Sequence, residues 1–424
     1  MLPLVAFITG LVVTAAAIAL GTPFASRLGL MDEPSARKAH KGEVPLFGGI
    51  AIFLGLILAL LIAGGISSWA GILAGGIVVV ITGIWDDRKK VSSGVRLIAQ
   101  SLAILTIVYF CNAILTDLGH IGWGGEILQI GLVAIPFTIF AGVGIINAIN
   151  MSDGLDGLCG MLALVTLFGF AVVAVLAGRT ELFLLTIVLG GCIIGFLFFN
   201  FRFPGRSQAR VFLGDGGTYL IGFVIVFLAI KLSQGPERAM SPVTALWLIM
   251  VPLLDTAGMI LRRLHRGRSP FAADREHLHH VFLLAKFTVT ETVLIMTGIA
   301  LAGVLVGLVS LRAGVPESLM LALFLAVAGG YYWMIMHAWR VMRFLSRSIN
   351  RRGSRRDRRI LRDRRKDRNV KVEELGGEER RSGIERRENA NDRRVRDVTE
   401  TKQRDAAKRH RDYPITEQIR EEKS

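Results

Sequence analysis

Cysteine is nearly missing: Cys111, Cys159 and Cys192 are the only three, and all lie in or beside apolar runs. This excludes a disulfide scaffold, and their spacing matches no zinc motif. No Lys or Arg precedes Arg27. The first apolar run therefore lacks a basic n-region, and with no obvious cleavage site it reads as a retained span rather than a signal peptide. The alternation of apolar and polar residues that would mark an outer-membrane barrel is absent. So is any internal repeat of the kind found in the two halves of many transporters.

What is present is divided sharply. The chain has 424 residues, is 52% hydrophobic and carries a net charge of +16. From Arg340 onward there are 29 Lys and Arg against 17 Asp and Glu; the first 339 residues keep only 21 and 17. A long apolar body and a short charged tail follow, with domain limits of 1–339 and 340–424. A soluble globular enzyme and a collagen-like fibre are excluded, since soluble domains are less apolar and spread their charge along the chain.

The body reads as an all-α polytopic membrane protein. A span takes about 20 mostly apolar residues. By that measure there are about eleven, near 2–21, 46–65, 68–84, 96–116, 127–149, 158–177, 182–199, 216–232, 242–261, 290–311 and 317–339. The loops after the odd-numbered spans hold 17 Lys and Arg, counting Arg96 at a span edge; the other loops and edges hold four, Arg179, Lys231, Arg238 and Arg312. The positive-inside rule places the basic loops in the cytoplasm, with the N-terminus outside and the tail inside. The localisation expected is a bacterial inner membrane.

The unusual polar residues gather on that same predicted face. They include Lys38, His40, Pro45 and Gly48-Gly49 after span 1, and Asp86-Asp87 after span 3. Span 5 ends in Asn147-Ala-Ile-Asn150-Met-Ser-Asp153-Gly-Leu-Asp156-Gly, and span 8 opens with Phe212-Leu-Gly214-Asp215-Gly-Gly. Span 9 holds Asp255 and leads to Arg262-Arg263, Arg268 and Pro270-Phe-Ala-Ala-Asp274-Arg275-Glu-His277-Leu-His279-His280. Carboxylates at the edge of a bilayer are costly without partners, so each is a candidate functional group. Hard oxygen donors without thiolates suit Mg²⁺, with Mn²⁺ as the alternative. Arginines, Lys38 and histidines supply charge and donors for phosphate oxygens. Carboxylates, a hard metal and a basic rim together indicate phosphoryl transfer; the membrane body indicates a lipid substrate. Taken singly the clusters have plainer readings. Asp86-Asp87 could be a charged loop, the glycine-rich Asp215 segment a turn, Arg262-Arg263 interfacial anchors, and the histidines a zinc site or solvated side chains. Asp153 and Asp156 could share a helix face or lie at a broken helix end.

In this order, the motifs resemble those of the polyprenyl-phosphate N-acetylhexosamine-1-phosphate transferases over about residues 1–339. The stretch from Arg262 to His280 resembles the branch that uses UDP-N-acetylglucosamine. The resemblance implies that undecaprenyl phosphate attacks the sugar-linked phosphorus of the UDP-sugar and that UMP leaves. It implies Asp215 and Asn150 as metal ligands with Asp153 and Asp156 close by, and Asp86 or Asp87 as base or second metal contact. Arg263, Arg268, His277, His279 and His280 would hold the nucleotide diphosphate, Lys38 and His40 would bind phosphate, and Asn147 would join the substrate site. A homodimer is open. A peptidoglycan-type phospho-N-acetylmuramoyl-pentapeptide transferase is the near alternative. A transporter of a lipid-linked or anionic solute is the distant one, and a membrane scaffold would leave the aspartates unexplained.

The tail has few apolar residues and no sustained period, so disorder is expected. Its first stretch, 340–368, is strongly basic and suited to the anionic inner leaflet. Without interleaved aromatics it gives no support to nucleic-acid binding.

Overall fold

The structure, a computed structural model, describes residues 1–32, 42–64, 67–122, 125–269 and 277–337. The chain divides into two units, Met1–Arg347 and Ser348–Ser424, and all described residues belong to the first. The expected tail, together with Lys38, His40, Asp274 and Arg275, lies outside the described residues.

Helix α1 (Leu2–Gly21) leads to a short antiparallel pair, β1 (Met31–Asp32) with β2 (Val44–Pro45), registered Met31 to Pro45 and Asp32 to Val44. Then come α2 (Gly48–Gly64), α3 (Ala70–Lys89), α4 (Ser93–Cys111), α5 (Ala134–Met151), α6 (Leu158–Leu176), α7 (Thr180–Asn200) and α8 (Gly214–Ser233). The last five are α9 (Pro242–Leu248), α10 (Met250–His265), α11 (Leu278–Leu284), α12 (Val289–Ala313) and α13 (Glu317–Met336). Nine helices among the described residues are long and apolar enough to cross a membrane, or ten if a bent pair counts as one span. The protein is thus an all-α polytopic membrane protein. The apolar run of 46–65 forms α2, which falls just short of that length.

One expected span is not straight. The run 242–261 forms α9 and α10, which meet at 87°. The cause is local. Pro252 has no N–H to give the carbonyl of Leu248, four residues back, and its ring crowds that carbonyl. The freed oxygen is satisfied from outside: Thr166 of α6 donates its hydroxyl to Leu248 O at 3.0 Å. A broken helix within a membrane needs such a replacement partner.

Helix α8 is the centre of the bundle. It is apolar all round and buried along nearly its whole length, whereas α1 and α13 leave most of their surface outward. It packs on α2, α3 and α5. Glycine makes the closest approaches possible: a Cβ on Gly83 would overlap the backbone of Gly216, and one on Gly49 the backbone of Gly217. Backbone bonds tie the same region. Phe212 N–H donates to Pro45 O at 2.8 Å, Gly48 N–H to Phe212 O at 3.0 Å and Gly49 N–H to Leu213 O at 2.8 Å. Two motifs about 165 residues apart therefore form one joint.

Candidate active site

Asp86 and Asp87 belong to the last turn of α3, not to a loop, because the helix runs on to Lys89. Being adjacent on a helix, they point about 100° apart and meet different neighbours. Asp86 is buried. Its Oδ1 accepts from Val91 N–H at 2.8 Å, and its Oδ2 accepts from Arg96 Nη1 and from Tyr219 Oη, each at 3.1 Å. It joins α3, α4 and α8. The Asp87 carboxylate instead lies at the N-terminus of α8, where both its oxygens accept from Asp215 N–H at 3.1 Å. A carboxylate is favoured there by unpaired helix N–H groups.

Asp215 occupies the first turn of α8, directly after Gly214, whose φ of +72° is left-handed and natural to glycine. Its Oδ1 accepts from Asn150 Nδ2 at 2.7 Å, and the same amide donates to Thr218 Oγ1 at 2.8 Å. The end of α5, the end of α3 and the start of α8 thus bring Asn150, Asp87 and Asp215 to one place.

Between α5 and α6 the chain turns rather than continuing as helix, so Asp153 and Asp156 part company. Asp156 Oδ2 accepts from Arg202 Nε at 2.7 Å and from Ala209 N–H at 2.9 Å, and so anchors the segment between α7 and α8. Asn200, buried at the end of α7, supports the same turn: its Oδ1 accepts from Gly157 N–H at 2.7 Å and its Nδ2 donates to Val211 O at 2.8 Å. No hydrogen bond or ion pair among the described residues engages the Asp153 carboxylate. Crowding by protein atoms raises its pKa above the usual carboxylate range, and the charges of Asp215 and then Asp156 add to the rise.

The histidines approach from the other side. His277, His279 and His280 sit at the start of α11, with ring centroids 5.5 Å apart for His277 and His279 and 4.3 Å for His279 and His280. The His279 ring lies directly against Gly154, where a Cβ would overlap it. Burial, reinforced by the charge of His280, pushes His279 down to about 3, so it is neutral at physiological pH. Arg263 is buried at the end of α10, and Arg268 lies just beyond it, exposed, with its N–H bonded to Arg263 O at 2.8 Å. Asn147 is one turn deeper in α5 than Asn150, where its Nδ2 donates to Gln100 Oε1 at 2.7 Å rather than to the aspartates.

Among the described residues no three His, Cys, Asp or Glu side chains converge to hold a metal. The donor set still fits a hard divalent ion, because Mg²⁺ is usually held by one or two carboxylates, with phosphate and water completing its shell. Asp215 with Asn150, and Asp87 and Asp153 beside them, are such a set. Sequence reasoning missed Arg96, Tyr219, Thr218 and Asn200. Arg96, Asn200 and Thr218 carried a usable signal, a polar residue at the end of an apolar run; Tyr219 carried none.

Carboxylates and an asparagine from three helix ends, with a histidine turn packed beside them, define a membrane-embedded protein with a polar site at one end of its bundle. Comparison with known proteins specifies the class further. The Glycosyl transferase family 4 model matches residues 69–233, a stretch that includes Asp86, Asp87, Asn150, Asp153, Asp156 and Asp215. An undecaprenyl-phosphate alpha-N-acetylglucosaminyl 1-phosphate transferase of Yersinia pestis is 36% identical over 325 residues, 76% of this chain and 88% of the relative. The Escherichia coli O157:H7 protein of that name is 36% identical over 328 residues, again 76% and 88%. That of Haemophilus influenzae is 33% identical over 339 residues, 78% of this chain and 94% of its own. The chain belongs to glycosyl transferase family 4.

Proposed function

We propose that the protein transfers N-acetylglucosamine 1-phosphate from UDP-N-acetylglucosamine to undecaprenyl phosphate, releasing UMP and initiating a cell-envelope glycan. The observation that carries this reading is the convergence of Asp87, Asn150, Asp153 and Asp215 at one end of an apolar bundle, in a chain of this family. A transporter would place its polar residues near the midplane instead.

An oxygen of the acceptor phosphate attacks the sugar-linked phosphorus. A new P–O bond forms as the bond to the UMP oxygen breaks, so one diphosphate is exchanged for another. The acceptor is largely ionised at neutral pH, and removing its proton is a small part of the task. Asp86 is held by Arg96 and Tyr219 with its charge beside Asp215, and we assign Asp87, which lies at the first N–H groups of α8, as the member of the pair that acts on the phosphates. Asp215 and Asn150, with Asp87 and Asp153 alongside, would hold Mg²⁺ or Mn²⁺, which supplies charge neutralisation on the diphosphate. Arg263, Arg268 and the turn His277–His280 hold the nucleotide; Lys38 and His40 bind phosphate.

An apolar cavity of about 270 Å³ lies between α5, α8, α9 and α10, lined by Phe137, Ile145, Val226, Ile230, Leu246 and Leu253 among others. Val226 is eleven residues along α8 from Asp215, about 16 Å at 1.5 Å per residue. A polyprenyl chain whose phosphate is at the aspartates reaches it, and we assign the cavity to that chain. Eleven spans with the site on the cytoplasmic side of the inner membrane, and the basic tail against the anionic leaflet, complete the reading. The test supplies purified protein with undecaprenyl phosphate and a panel of UDP-sugars, and follows UMP and lipid product. Release of UMP with UDP-N-acetylglucosamine is expected. Release with another UDP-sugar alone would move the protein to a different branch.

A further inference from the structure

Asp255 is a buried carboxylate in the middle of α10, only 2% exposed, for which the proposed reaction has no use. It accepts three hydrogen bonds. Oδ2 accepts from His277 Nδ1 at 2.9 Å; Oδ1 accepts from Leu278 N–H at 3.0 Å and from Tyr331 Oη at 2.5 Å. Its partners lie at the start of α11 and on α13, so one side chain joins three elements. Gly258 makes room for the aromatic ring: a Cβ there would stand 3.1 Å from Tyr331.

A carboxylate only accepts, so the hydrogen of His277 sits on Nδ1 and Nε2 is the ring's remaining polar atom. His277 stacks on His279 with planes 7° apart, and His279 rests against Gly154, next to Asp153. A continuous packed line therefore runs from Tyr331 through Asp255, His277 and His279 to the carboxylate cluster. We propose, building on the nucleotide role given above to the histidine turn, that Asp255 and Tyr331 are positioning residues for the nucleotide diphosphate. Asp255 fixes the His277 tautomer and holds the turn against Gly154; Tyr331 orients Asp255. Helix α13, far from the aspartates in sequence, is thereby part of the donor site.

The plainer reading makes Asp255 a packing group that only joins α10 to α13. The two differ in what Asp255→Asn does. The amide oxygen can keep Leu278 N–H and Tyr331 Oη, which places its NH₂ toward His277. The imidazole must then accept at Nδ1 and carry its hydrogen on Nε2, while size and two of three bonds are kept. Losing a charge-assisted hydrogen bond that fixes the ring is expected to cost about 10-fold or more, since hydrogen bonds to charged groups contribute more than neutral ones. Tyr331→Phe removes one hydrogen bond and should cost about 2- to 10-fold.

The experiment measures the Kd for UDP in Mg²⁺ and the KM for each substrate, with folded yield in detergent, for wild type, Asp255→Asn and Tyr331→Phe. Expected is a rise in UDP Kd and in UDP-sugar KM for both variants, larger for Asp255→Asn, with the undecaprenyl phosphate KM unchanged. Unchanged UDP Kd in well-folded Asp255→Asn, or equal losses toward both substrates, overturns the proposal. Should Asp255→Asn not fold, Tyr331→Phe decides by the same two criteria. Wild-type protein that binds UDP without turning over the named pair refutes the proposed reaction but leaves the Kd ratios to decide this inference. Wild-type protein that does not bind UDP refutes both.

Discussion

The backbone N–H of Asp215 donates to both carboxylate oxygens of Asp87, each at 3.1 Å. The bond sets the start of α8 against the end of α3 and leaves the Asp215 side chain facing Asn150, with the Asp86 carboxylate beside it. The Asp87 side chain is held by a main-chain donor that no substitution at Asp215 other than proline removes.

Asp215→Asn should therefore keep this joint and lose the charge. Turnover is expected to fall about 10²- to 10³-fold, the usual consequence of removing one electrostatic partner of a reacting phosphate. Folded yield and Tm should be unchanged or slightly higher, since repulsion with Asp153 is relieved. Near-wild-type turnover across Mg²⁺ concentrations would move the metal site toward Asp153.

Asp86 should behave differently from its neighbour. Asp86→Ala leaves Tyr219 Oη and Val91 N–H without their acceptor in a buried place. We expect a loss of about 2–3 kcal/mol in stability, read as a lower Tm in detergent. Asp87→Ala should lose activity with a smaller change in Tm. Equal stability losses would mean that the pair is not divided as the hydrogen bonds indicate.

Divalent cation should stabilise the protein more at pH 8 than at pH 6. The Asp153 pKa is raised to about 7 by the crowding of protein atoms around it and by the charges of Asp215 and Asp156, although its surface is partly open to water. A raised carboxylate pKa means that the folded state binds more protons than the unfolded one. In EDTA, stability should thus fall as pH rises from the ordinary carboxylate range toward 7, with water at the exposed Asp153 surface screening part of the effect. A cation replaces the proton, so the Tm gain on adding Mg²⁺ should grow over that interval. A gain independent of pH would exclude Asp153 from the cation's surroundings.

Thr166→Val tests the bend. It preserves shape but removes the donor to Leu248 O. An unsatisfied carbonyl in an apolar interior costs about 1–3 kcal/mol, so Tm should fall. Pro252→Ala in the same background restores an N–H for that carbonyl and should recover part of the loss. No recovery would mean that Pro252 is not the origin of the break.

Gly83→Ala places a Cβ on the backbone of Gly216. The overlap cannot be relieved by a side-chain rotation, so α3 and α8 must separate. We expect a loss of about 1–3 kcal/mol and a larger fall in turnover than in stability, because the displaced elements carry Asp87 and Asp215. Gly94→Ala, with open space around it, is the control and should match wild type in both assays.

The sequence by itself determined that this is a helical membrane protein, because continuous apolar runs long enough to span a bilayer leave backbone groups no partner except their own helix. It also marked Asp86, Asp87, Asp153, Asp156 and Asp215, with Asn150 beside them, as candidates, since carboxylates at the ends of such runs are too costly to keep without a use. Only the tertiary structure decided how these residues divide their tasks. Asp86 and Asp87 are neighbours in sequence but point about 100° apart at a helix end, one to Arg96 and Tyr219, the other to the main-chain N–H of Asp215. Asp156 looks like the equal of Asp153 until Arg202 and Ala209 claim it. The carbonyl freed at the Pro252 bend is satisfied by a threonine 86 residues earlier, and the tie from Asp255 to Tyr331 crosses 76 residues. Apolar periodicity reports how each segment meets lipid or core. It is silent on which partner a polar side chain finds, because that depends on distances between helices that no local pattern encodes.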